Sequence, residues 1–117
     1  MDVPALFTAL HQAVQQRAYF TQLVILDQSR SVLKARLYLS PGLFVQVYRN
    51  DRFDTTNLVL LHNDHRLFGR DQLGGNWHRH PVDDPAGHDF GEQGLRSVTL
   101  SEFLDEVEAI LSELGLP

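Results

Sequence analysis

Cysteine is absent from the 117 residues, and lysine, methionine and tryptophan occur once each. Without thiols there is no disulfide framework, iron-sulfur cluster or thiolate zinc site, so His, Asp and Glu remain as the metal-ligating side chains. No apolar run approaches the roughly 20 residues that span a bilayer, and Met1-Asp2-Val3-Pro4 opens the chain with no basic region ahead of an apolar one. The expectation is a soluble cytoplasmic protein with no membrane partner. A Gly-rich phosphate loop, a nucleophile elbow and an H-E-x-x-H helix are also missing, so the hydrolase and nucleotide-binding classes that carry them lack support.

What is present suits a single folded domain over residues 1–117. At 43% hydrophobic and 21% charged, the chain can bury a core and is not a disordered polypeptide. The net charge of -5 hides an uneven distribution. Residues 30–80 hold eight basic side chains against four acidic ones, whereas Glu102, Asp105, Glu106, Glu108 and Glu113 face a single Arg96 near the C-terminus. The basic residues are nearly all arginine, whose planar fork suits phosphate and carboxylate. Such a split is equally that of ordinary solvated faces.

Both ends read as helices. Val98-Thr99-Leu100-Ser101-Glu102-Phe103 supplies a capping box and an apolar staple, and Leu100, Phe103, Leu104, Val107, Ile110, Leu111 and Leu114 then recur at helical spacing up to Gly115. Asp2 can cap a first helix that runs to about residue 17, with Leu6, Leu10, Ala13 and Val14 on one stripe. The middle reads as strands: residues 19–27, 32–39 and 43–48, then 57–62 and 65–71 around the hairpin signal Asn63-Asp64. Residues 76–97 read as an ordered loop with a short strand around Trp77 to His80. The predicted fold is a two-layer α+β domain, a largely antiparallel sheet of four to six strands whose aliphatic face is covered by an N-terminal and a C-terminal helix.

The other face of that sheet is expected to carry Lys34, Arg36, Tyr38, Gln46, Tyr48, Arg66, Phe68 and Arg70. Rings that stack on bases beside guanidinium groups that meet phosphates describe a surface for single-stranded RNA. An ordinary solvated face or a homodimer interface has the same composition.

The chemically loaded stretch is Trp77-His78-Arg79-His80-Pro81, followed by Asp83, Asp84, Pro85, His88 and Asp89. In an extended segment His78 and His80 project to one side. Three readings stay open. The three imidazoles, with Asp84 or Asp89, can ligate a borderline divalent ion. Alternatively, with no cofactor at all, His78 and His80 can serve as the proton-transfer pair of a metal-independent endoribonuclease, His88 in support and Arg79 on the phosphate. Or the imidazoles and Trp77 pack and hydrogen-bond a long loop onto the sheet. His11, His62 and His65 read as surface or turn residues.

Leu67-Phe68-Gly69-Arg70-Asp71, Gly74-Gly75-Asn76-Trp77-His78-Arg79-His80-Pro81, Asp84-Pro85 and His88 together resemble the F-G-x-D…G-W-H-x-H-P…D-P…H pattern of small bacterial and archaeal proteins allied to the TumE-like toxins. Arg70 and the Asn76 between Gly75 and Trp77 depart from that pattern. The resemblance implies the toxin half of a toxin-antitoxin pair, with a small antitoxin protein as partner and RNA or translation as target. The alternative from another class is a non-enzymatic interaction or metal-binding protein.

Overall fold

Caps and turns written into the sequence set the order of elements. Asp2, in extended backbone, accepts the Ala5 N–H and starts helix α1 (Val3–Gln16), with Pro4 in its first turn. Strands β1 (Gln22–Gln28), β2 (Val32–Ser40), β3 (Leu43–Asn50), β4 (Thr55–His62), β5 (His65–Leu73) and β6 (Asn76–His80) follow, then one turn of helix, α2 (Glu92–Leu95), and the long α3 (Leu100–Leu114). The computed structural model describes residues 1–83 and 91–116. Each strand pairs antiparallel with its neighbour in sequence, giving an open six-stranded meander. The α+β architecture is as expected.

The turns are chosen by residues that accept left-handed backbone. Asn63 and Asp64, with φ of 49° and 68°, reverse the chain between β4 and β5. Gly74 and Gly75 do so between β5 and β6, and a Cβ on Gly75 would lie 2.9 Å from Asp54 Oδ2. Glycine takes the left-handed dihedral there without strain and without displacing the Asp54 carboxyl.

Alternation sorts the sheet into two faces. Leu33, Ala35 and Leu37 on β2, Leu43, Val45 and Val47 on β3, and Leu58 and Leu60 on β4 are all buried in one core with Leu6 and Leu10 of α1 and Phe103, Leu104 and Val107 of α3. Each such side chain contributes about 1.5–3 kcal/mol on burial, so the two helices are held mainly by this face. The capping box of α3 forms as expected. Thr99 and Glu102 exchange hydrogen bonds, and the Thr99 N–H holds the Glu102 carboxyl below its ordinary range.

The acidic character of α3 is spent inside the molecule. Arg17, just past α1, reaches Glu108 at 2.6 Å and Asp105 at 3.1 Å. Arg70, 1% exposed, holds Glu106 with two hydrogen bonds of 3.1 and 2.7 Å. Arg96 lies 3.6 Å from Glu102. A fourth arginine, Arg49, is buried at the end of the sheet, where it reaches Asp51, Asp54, Thr56 and Gln72. These pairs set the register of α3 on the sheet and close the β3–β4 turn.

Asp51 joins that turn to α1 by accepting the Val3 N–H at 3.0 Å. Burial alone raises its carboxyl, but the Val3 N–H and the Arg49 guanidinium outweigh this and leave it below the ordinary aspartate range. A carboxyl lowered by folding stabilises at and above the unfolded range, and the contribution fades as pH falls through the folded value. Asp51→Asn is therefore expected to lower the urea midpoint at neutral pH, with the gap to the wild type closing below about pH 4. An equal gap at pH 3 and pH 7 would contradict this role.

Candidate functional site

The face away from the helices is built from cross-strand rows. One row runs Arg36, Gln46, Val59, Gly69, His80 from β2 to β6, and the next runs Lys34, Tyr48, Asn57, Asp71, His78. A third carries Tyr38, Phe44, Leu61 and Arg66. The cationic and aromatic groups thus lie mainly on β2 and β3, and the imidazoles on β6, roughly 14–19 Å away at the usual strand spacing.

On the cationic side the groups are pre-arranged. The Arg36 guanidinium sits 4.6 Å above the Phe44 ring, donating to Gln46 Oε1 at 3.0 Å and to the Tyr38 hydroxyl at 3.1 Å. Tyr38 and Phe44 pack with ring centroids 5.1 Å apart, and Asn50 donates to the Tyr48 hydroxyl. Among the described residues, Lys34, Arg36 and Arg66 form no ion pair, in contrast to Arg17, Arg49, Arg70 and Arg96.

Two residues expected on this face are turned away from it. Between Leu60 and Leu61 the β4–β5 register shifts by one residue, so that Leu61 meets Arg66 while Leu60 meets Phe68. The extra residue, Leu67, is a β-bulge, and it reverses the side-chain parity of β5. Phe68 consequently stacks on Phe103 of α3 at 5.7 Å, and Arg70 pairs with Glu106 beneath the helix. Arg79 is corrected for a simpler reason. It pairs across from Arg70, so strand alternation points it to the helix side and away from His78 and His80. There it borders a shallow groove with Phe68, Val82, Glu106 and Ile110.

His78 and His80 do share a side, as the H-x-H spacing requires. Their ring centroids are 5.5 Å apart. Both present Nε2 to one oxygen of Asp71: His80 Nε2 is 2.6 Å and His78 Nε2 3.5 Å from Asp71 Oδ2. The three residues are 3–6% exposed. The sequence reading missed Asp71, although its signal was there: the hairpin turn at Gly74-Gly75 places Asp71 directly opposite His78. Gly69 makes room for the arrangement, since a Cβ there would lie 3.6 Å from His80 and 3.2 Å from Leu58 O. His88, Asp84 and Asp89 lie outside the described residues.

No family model fits the chain, and neither curated proteins nor solved structures show significant similarity. Its chemistry has to be read from the geometry. In-line cleavage by two imidazoles needs a phosphate between them, whereas here a buried carboxylate occupies the point on which both rings converge. An acceptor oxygen at that point is a ligand for a cation rather than a partner for a phosphate oxygen. On the opposite, helix side, a cavity of about 450 Å³ opens among Leu6, Trp77, Val98 and Leu100, separate from the imidazoles.

Gly69→Val is expected to cost about 2 kcal/mol by overpacking against Leu58 O and the His80 ring. It should also change the His80 imidazole NMR signals while leaving those of His62 and His65 in place. Unchanged His80 signals would remove the spacing role given to Gly69.

Proposed function

We propose that this chain binds single-stranded RNA across the open face of its sheet and acts on it as a toxin-like protein, with its reaction centre at the β5–β6 hairpin. The observation that carries the reading is the set of three cations, Lys34, Arg36 and Arg66, which form no ion pair among the described residues and stand among Tyr38, Phe44 and Tyr48. Elsewhere four arginines are matched to acids. Cations for phosphates, interleaved with rings for bases, are the elements of sequence-tolerant single-strand binding, and each stacked base is worth about 1–3 kcal/mol. Phe68 and Arg70 have no place in this surface. A small antitoxin partner belongs to the same proposal through the resemblance of residues 67–88.

Neutralising three phosphates on a single strand gives a slope of about -2 in log affinity against log salt. Titration of a labelled oligoribonucleotide at rising salt should return that slope. Arg36→Ala should flatten it by roughly 0.7, Tyr48→Ala should weaken binding about tenfold, and Arg96→Ala on the helix side should change neither. Binding that is absent, or indifferent to salt, removes the RNA reading.

The toxin assignment has its own test. Induced expression of the wild type should arrest growth, while the His78→Ala/His80→Ala variant, accumulating to the same level, should not. Growth unaffected by the wild type favours the non-enzymatic interaction protein instead.

A further inference from the structure

The β5–β6 hairpin brings a carboxylate and two imidazoles to one buried point, and the arrangement has a property that RNA binding does not use. Asp71 and His78 are directly opposed across the two strands, and His80 lies two residues further along the same face. The three ligand atoms all lie within 4.8 Å of one another. Among the described residues no other three His, Asp or Glu side chains converge in this way. All three are carried by strands joined through a glycine turn, so their positions are set by the backbone ladder rather than by a loop.

We propose that Asp71 Oδ2, His78 Nε2 and His80 Nε2 bind one borderline divalent cation of the zinc or ferrous-iron class. Two imidazoles and one carboxylate are the ligand set of three-residue zinc sites and of facial iron sites, which leave further positions to water or substrate. Ligands around such an ion at about 2.0–2.1 Å stand roughly 3.3 Å apart. Asp71 Oδ2 is already 3.5 Å from His78 Nε2 and 2.6 Å from His80 Nε2, and the two imidazole atoms lie within 4.8 Å of one another, so binding exchanges the His80–Asp71 hydrogen bond for coordination as the three side chains adjust.

An independent observation points the same way. Among the described residues, the buried Asp71 Oδ1 accepts no hydrogen bond. An acceptor oxygen left so is costly in a protein interior, and a cation on Asp71 relieves that cost. A divalent ion adds two positive charges at that point, which favours a phosphate there. The site stands on its own geometry and does not require the RNA reading.

Tag-free protein stripped with chelator, then loaded with Zn(II) or Co(II) and gel-filtered, should retain about one equivalent of metal. The Co(II) form should show visible ligand-field bands of a nitrogen and oxygen site. Asp71→Asn and His78→Ala should each retain less than a tenth of an equivalent, whereas His62→Ala/His65→Ala and Arg36→Ala should retain all of it. Because a variant could fail to fold, the wild type supplies a second readout. Long-range 1H–15N spectra should show the Nε2 resonances of two imidazoles moving on addition of Zn(II). Folded wild type that retains under a tenth of an equivalent and shows no such shift overturns the site, and so does full retention by folded Asp71→Asn. Loss of metal without loss of RNA affinity separates this site from the cationic face.

Discussion

One extra residue in β5 decides which way half the chemistry of this protein points. Because side chains alternate along a strand, inserting Leu67 opposite the Leu60–Leu61 step reverses the parity of everything after it relative to Arg66. Phe68 and Arg70 then face α3, where one finds Phe103 and the other Glu106. Gly69 and Asp71 face outward, and the glycine turn to β6 brings His80 and His78 against them. Without the bulge Asp71 would lie among the aliphatic residues of the core, where a carboxylate has no stable place.

Charge follows from the same sorting. A chain with five more acidic than basic side chains still presents a cationic surface, because α3 sets its carboxylates against Arg17, Arg70 and Arg96. The buried Arg70–Glu106 pair contributes little net energy beyond what a well-packed apolar pair would, since desolvation offsets its attraction. Its consequence is positional: it ties one register of the helix to one register of the sheet. The cations left on the open face, Lys34 and Arg36 on β2 and Arg66 on β5, form no ion pair among the described residues, although Asp27 of β1 is paired opposite Lys34.

The Asp71–His78–His80 cluster joins two roles that look opposed. A buried carboxylate between two imidazoles is a poor receptor for an anion, and it stands on a face that otherwise favours one. A divalent ion at that point would reconcile them, converting one edge of the cationic surface into an electrophilic position. The reading of the hairpin as a reaction centre and the reading of it as a cation site share His78 and His80 but are checked by different measurements, growth arrest for the one and metal retention for the other.

Much of the fold was legible in linear order because it depends on local rules. The Asp2 cap, the Thr99–Glu102 box, the Asn63-Asp64 turn and the alternation of Leu33, Ala35 and Leu37 each act within a few residues, and each appears where the pattern places it. The sharing of a side by His78 and His80 belongs to the same class, and the same alternation, overlooked in the expectation of Arg79 on the phosphate, puts Arg79 on the other side. The bulge at Leu67 was not legible, since it is a mismatch between two strands and has no signature in either one. The carboxylate beside the imidazoles was legible in part: the Gly74-Gly75 turn sets Asp71 opposite His78, seven residues on, but the parity that turns both onto the open face depends on the bulge. Sequence alone therefore determined the helices, the strands and the H-x-H spacing, all set by short-range periodicity and capping. Tertiary structure decided the parity of β5, the pairing of α3 with arginines and the carboxylate at the centre of the site, because those depend on which strands and helices come to lie against one another.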